Sequence, residues 1–115
     1  MLCRLAMMAA AAVSLAMTAG AAVTTVAVRG DAPMDEGGFQ LRQTTVHYGD
    51  LNIANKAGAT QLLTRIRDAA ADSCNSAAMP TQRIKDEVRQ CRDKAVKQAV
   101  ARVHSSELTM VANAQ

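Results

Sequence analysis

Two cysteines, Cys74 and Cys91, stand on the apolar stripes of two helix-patterned segments joined by seven residues, and no other feature restricts the fold as tightly. From Ala57 to Cys74 the apolar residues recur at Ala59, Leu62, Leu63, Ile66, Ala69 and Ala70, the three-and-four spacing of an amphipathic helix. From about Gln82 to His104 a second stripe carries Ile84, Val88, Cys91, Ala95, Ala99, Val100 and Val103. Cys91 lies roughly 13 Å along its helix at the usual rise of 1.5 Å per residue, a distance that the short connection spans when the helices run antiparallel. Asn55 and Thr81 are placed to cap the two helices, and Asn75 is suited to close the first in a left-handed conformation. The outer face of the second helix pairs Arg89 with Asp93 and Asp93 with Lys97 at four-residue spacing, a solvated charged face. Leu108–Val111 reads as a short extra turn, and residues 112–115 read as a frayed tail.

Whether those cysteines are oxidised depends on compartment. Arg4 is the only charge before Arg29, and it is followed by the uncharged run Leu5 to Met17 and by small residues at Ala19 and Ala21. That is the three-part pattern of a secretory signal peptide, predicting residues 1–21 as the signal, with cleavage near Ala21 and a periplasmic destination. No Lys/Arg cluster follows as a stop-transfer flank, so no stable membrane insertion is expected after cleavage. Cys3 leaves with the signal. An even pair of cysteines in a small exported chain reads as a structural disulfide, with roughly 3 kcal/mol of stabilisation from closing the intervening loop. Redox exchange normally shows Cys-x-x-Cys, which is absent, and a zinc site needs about four ligands, which the scattered histidines and cysteines do not supply.

Beyond residue 21 the chain holds 40 apolar residues in 94, and 16 of those are alanine. The remaining 24, with one Phe, one Tyr and no Trp, fill one small core and exclude a multidomain protein. The same stretch carries 12 basic and 10 acidic groups, too balanced for a dedicated nucleic-acid binder. Residues 22–40 combine Gly, Pro and acids and read as a flexible linker, although Val23–Val28 has the composition of a strand. Thr44–Tyr48 is β-branched or aromatic at four of five positions and predicts a short strand, with Val46 and Tyr48 on one face and Thr45 and His47 on the other. Gly49-Asp50 ends it, and Leu51 and Ile53 return the chain to the apolar surface.

Chemistry is sparse. His47 reads as an exposed strand residue and His104 as a helix-end residue; grouping Ser105, His104 and Asp50 into a triad has almost no specificity. There is no phosphate-cradling glycine loop and no His-Glu-x-x-His. No catalytic residue, metal ligand or cofactor is assigned, and an enzyme is not expected because so small a core encloses little pocket.

The order Val46-His47-Tyr48-Gly49-Asp50-Leu51-Asn52-Ile53, then Ala57-Gly58-Ala59, Leu62, Arg65-Ile66, Ala69-Ala70 and Cys74, then Cys91-Arg92, Ala95, Ala99-Val100 and Val103, resembles the UrcA family of small exported bacterial proteins over about residues 44–108. Asn52 stands where the family usually has Asp, and Asn55-Lys56 where it often has Ser or Thr followed by Pro. The resemblance implies a periplasmic location and a helical unit with paired cysteines, and it supplies no active site.

The resulting expectation is mainly α: a disulfide-pinned antiparallel helical hairpin over residues 41–111, preceded by a short β-strand or extended segment. Its expected role is non-enzymatic, through protein or envelope contacts, with an unidentified protein partner or self-association. An isolated strand leaves its edges unpaired, so contact is expected through residues 44–48, with Val46, Tyr48 and Asp50 as candidate contact residues and Val46→Pro as the change that abolishes it. The alternative is a small-ligand or metal-ion binder built on Tyr48 and Asp50.

Overall fold

A computed structural model describes residues 23–115, so the expected signal segment and the cleavage expected near Ala21 lie outside the described residues. Five elements follow in order: β1 (Thr25–Pro33), β2 (Phe39–His47), α1 (Lys56–Ser73), α2 (Gln82–Val103) and α3 (Ser106–Asn113). The strands form an antiparallel ribbon in which Thr25 faces His47 and Pro33 faces Phe39, with every residue between them paired and no bulge. The turn is set by glycine. Gly37 donates to the Met34 carbonyl, Met34 donates back to Gly38, and both glycines take positive φ (83° and 78°), a region that side chains with a Cβ rarely adopt.

One face of the ribbon carries Val26, Val28 and Val46 into the core, with Tyr48 just past the strand. Leu62, Leu63, Ile66, Ala69 and Ala70 of α1 meet them, Ala95, Ala99 and Val100 of α2 close one side, and Leu108 and Val111 of α3 complete the cluster. Leu51 and Ile53 dock at its margin. α1 lies across both strands, whereas the α2 backbone packs along β1 alone, and Phe39 and Leu41 of β2 share a groove of about 510 Å³ with Glu87, Gln90 and Lys94 of α2. The helix starts are fixed by side-chain caps. Asn55 Oδ1 accepts from Gly58 N at 2.8 Å, Thr81 Oγ1 from Ile84 N at 3.3 Å and Ser105 Oγ from Leu108 N at 3.1 Å.

The Cys74–Cys91 disulfide is present, with a Cα–Cα distance of 5.8 Å, and joins the end of α1 to the middle of α2. It is seated directly on β1: a Cβ built on Gly30 would stand 2.6 Å from Cys74 Sγ and 2.9 Å from the Ser73 carbonyl carbon and oxygen. Gly30 is therefore the hole into which the end of α1 fits. Ser73, fully buried, exchanges a 2.8 Å hydrogen bond with Thr44 Oγ1 and donates to the Val28 carbonyl at 3.2 Å, tying the same helix end to both strands.

Several expectations change. The fold is mixed α/β, not a helical hairpin with a strand appended. Residues 25–33, read as linker, are a full strand, because Val26, Val28, Gly30 and Ala32 alternate inward and each gains a ladder partner. The left-handed helix end is His104 (φ 54°) after α2, whereas α1 ends at Cys74 with φ −99°. On α2 the ion pairs are Arg83–Glu87 at 3.0 Å and Arg89–Asp86 at 2.8 Å, and none among the described residues involves Asp93. The expected frayed tail starts too early, since α3 runs to Asn113 and Ala112 packs on the core.

Candidate functional site

The two edges of the ribbon are not equivalent. In an antiparallel ladder, residues whose N–H and C=O face the partner alternate with residues whose groups face away. Tyr48 N donates to Thr24 O at 2.8 Å in the register of the ribbon, which makes the even-numbered pairs the hydrogen-bonded ones. The backbone groups of Ala27, Arg29 and Asp31 therefore point out of the β1 edge, and those of Phe39, Leu41, Gln43, Thr45 and His47 out of the β2 edge. Three side-chain contacts agree with this parity. Arg102 Nη1 donates to Ala27 O at 3.2 Å, Arg65 Nη1 to His47 O at 2.9 Å, and Ser76 Oγ to Pro33 O.

The β1 edge is covered by α2. No strand or helix among the described residues lies on the β2 edge, and its first four outward residues, Phe39, Leu41, Gln43 and Thr45, form a regular stretch without proline or bulge. Natural edges are ordinarily blunted by such devices or by charge; here Arg42 is the sole charged residue in the strand. The two large apolar side chains of this edge are also exposed, Phe39 at 58 % and Leu41 at 66 %. The only phenylalanine of the chain is thus on the surface.

Beneath the edge, β2 and α1 enclose a shallow groove of about 270 Å³ lined by Thr44, Val46, Arg65, Asp68, Ala69 and Asp72 among others. Its upper end is closed by a bidentate clamp in which Arg65 Nη1 and Nη2 donate to Asp50 Oδ1 and Oδ2, both at 2.8 Å. Hydrogen bonding to the guanidinium, opposed by some desolvation, holds the Asp50 carboxyl at about 2 in place of its ordinary 3.8, and the same contact raises Arg65. Asp68 and Asp72 are exposed and make no ion pair among the described residues.

The structure separates the residues singled out in the sequence. Val46 and Tyr48 are buried at 6 % and 8 % exposure and belong to the core, so neither side chain is a surface contact. Val46 also faces Val26 as a hydrogen-bonded pair, so Val46→Pro would break the ribbon itself and leaves the outer edge untested. Asp50 is exposed but engaged with Arg65. Among the described residues no three His, Cys, Asp or Glu side chains are grouped as a metal site, and no helix is long and apolar enough to cross a membrane. Sequence reading missed Phe39 and Leu41, and the signal that marks them is their own alternation, Phe39-Gln40-Leu41-Arg42, running out of phase with Val46 and Tyr48.

Among the described residues, fold and site define a small mixed α/β domain, pinned by one disulfide, with a two-stranded sheet covered at one edge and open at the other. No family model, curated protein or solved structure matches the chain.

Proposed function

We propose that the chain is an exported, non-enzymatic contact protein that acts by accepting an extended segment along the open edge of β2. The observation that carries this reading is the unblunted edge, with four outward N–H and C=O pairs on Phe39, Leu41, Gln43 and Thr45 beside two exposed apolar side chains. An added strand satisfies those backbone groups, and Phe39 and Leu41 give it apolar surface. The disulfide supports a periplasmic setting, since such bonds persist in oxidising compartments, and the signal-like N-terminus and the likeness to the UrcA family point the same way.

The test is photo-crosslinking in the cell from a reactive residue at position 41, with and without Thr45→Pro. Thr45 N–H points outward, so proline there removes an edge donor and leaves the β1–β2 ladder intact. A crosslinked adduct that disappears in the proline variant supports the reading. An adduct that survives it unchanged, or no adduct at all, overturns it. The intact mass of the recovered protein checks export separately, with a chain beginning at Ala22 and two thiols appearing only after reduction.

A further inference from the structure

We infer that the segment received by β2 is the β2 strand of a second copy of this chain, antiparallel and in the register centred on Gln43; this rests on the edge reading above. In that register Gln43 opposes Gln43 of the second copy and Leu41 opposes Thr45, each as a pair exchanging outward backbone groups. The residues between them, Arg42 and Thr44, then face one another across the new seam on the α1 side of the sheet.

Charge selects this pairing. Thr44 is bonded to Ser73 and lines the groove with Asp72, so an arginine placed opposite Thr44 enters that groove beside the Asp72 carboxylate. Arg42 is free for this role, since its one hydrogen bond is to Gln40 Oε1 at 3.3 Å and it joins no ion pair among the described residues. Two-fold symmetry makes the contact twice, Arg42 of each copy meeting Asp72 of the other. Neighbouring registers are worse. Centring on Arg42 sets two arginines face to face. Centring on Thr44 sets Arg42 opposite Val46, at the end of the groove where the Arg65 guanidinium already sits. Centring on Leu41 moves Arg42 opposite Gln40 and away from the acids.

The helices also fit. α1 sits over both strands of its ribbon, and two strands at about 4.8 Å each separate the two α1 axes by about 10 Å, the diameter of a helix with its side chains. The product is a four-stranded antiparallel sheet with the two α1 helices side by side on one face.

Sedimentation of the oxidised mature chain tests this. The wild type is expected to be a dimer at micromolar concentration, and Thr45→Pro a monomer with unchanged far-ultraviolet circular dichroism. Arg42→Asp and Asp72→Arg should each weaken dimerisation by about tenfold, and the double exchange should restore it, a rescue that mere loss of folding cannot produce. A monomeric wild type that crosslinks from position 41 only to other proteins overturns the second-copy assignment and leaves the edge reading standing. A dimer indifferent to Thr45→Pro, or a monomer without adducts, overturns both. A dimer lost in Thr45→Pro but unaffected by either charge reversal overturns the Gln43 register.

Discussion

Replacing Cys74 and Cys91 together with alanine should remove a large share of the stability of this fold. The bridge spans a sequence separation of 17, for which the chain-entropy relation gives about 10 cal/mol/K, or about 3 kcal/mol at 25 °C. Native packing adds to the loss. Cys74 is fully buried and its sulfur fills the space over Gly30, so alanine leaves a small cavity costing about 1 kcal/mol more. The total of about 4 kcal/mol compares with a stability of about 5 to 14 kcal/mol for a domain of this size. Urea unfolding followed by circular dichroism reads it directly. With a slope of about 1.5 kcal/mol/M, the midpoint should fall by about 2 to 3 M, and the slope should rise because the unfolded chain is no longer cross-linked. A midpoint shift below about 0.5 M, in a pair of samples whose oxidised and thiol-free states are verified by mass, would refute the account of the bridge as the clamp between α1, α2 and β1.

Gly30→Ala drives a methyl into Cys74 Sγ and the Ser73 carbonyl and should cost about 1 to 3 kcal/mol by the same urea assay, with a neutral result disproving the close approach. Phe39→Ala, by contrast, should change monomer stability by less than about 0.5 kcal/mol because the ring is mostly exposed, where a core phenylalanine would cost about 3 to 5 kcal/mol. The Asp50 carboxyl is held at about 2 against an ordinary 3.8, so its contribution to stability is present above about pH 4 and is lost as pH falls toward 2. The thermal-midpoint difference between wild type and Asp50→Asn should accordingly shrink steeply between about pH 4 and pH 2 and shrink in salt, and a difference at about pH 2 as large as that above pH 4 would assign the effect elsewhere.

The helices were legible because each announces itself locally. Leu62, Leu63 and Ile66 fall on one stripe, Asn55 and Thr81 stand where their side chains reach a free amide, and the disulfide follows from where the stripes place their cysteines. β1 was not, since Gly30, Asp31 and Pro33 are poor strand formers taken singly. Two of them are explained only by the folded structure: Gly30 by the end of α1 packed against it, and Pro33 by its position at the outward-facing end of the ladder, where its missing N–H costs nothing. β2 was half read for a related reason. Its inward residues Thr44 and Val46 are even-numbered while its apolar exposed residues Phe39 and Leu41 are odd-numbered, so the hydrophobic alternation changes phase within one strand. Without β1 in view, nothing tells a reader which backbone groups of β2 are spent, and Val46, the strongest strand former there, draws attention to the wrong side.

The coverage of β1 by α2 sets how far any association through this sheet can go. A ribbon with two bare edges could recruit a neighbour on each side and grow without end into a filament. Among the described residues α2 lies against one side, its Arg102 holding the Ala27 carbonyl, and the proposed pairing is left to the other. The domain has a valence of one. Whatever joins β2 completes the assembly, and an exposed pairing edge that would elsewhere be an aggregation hazard is limited to a single, terminating encounter.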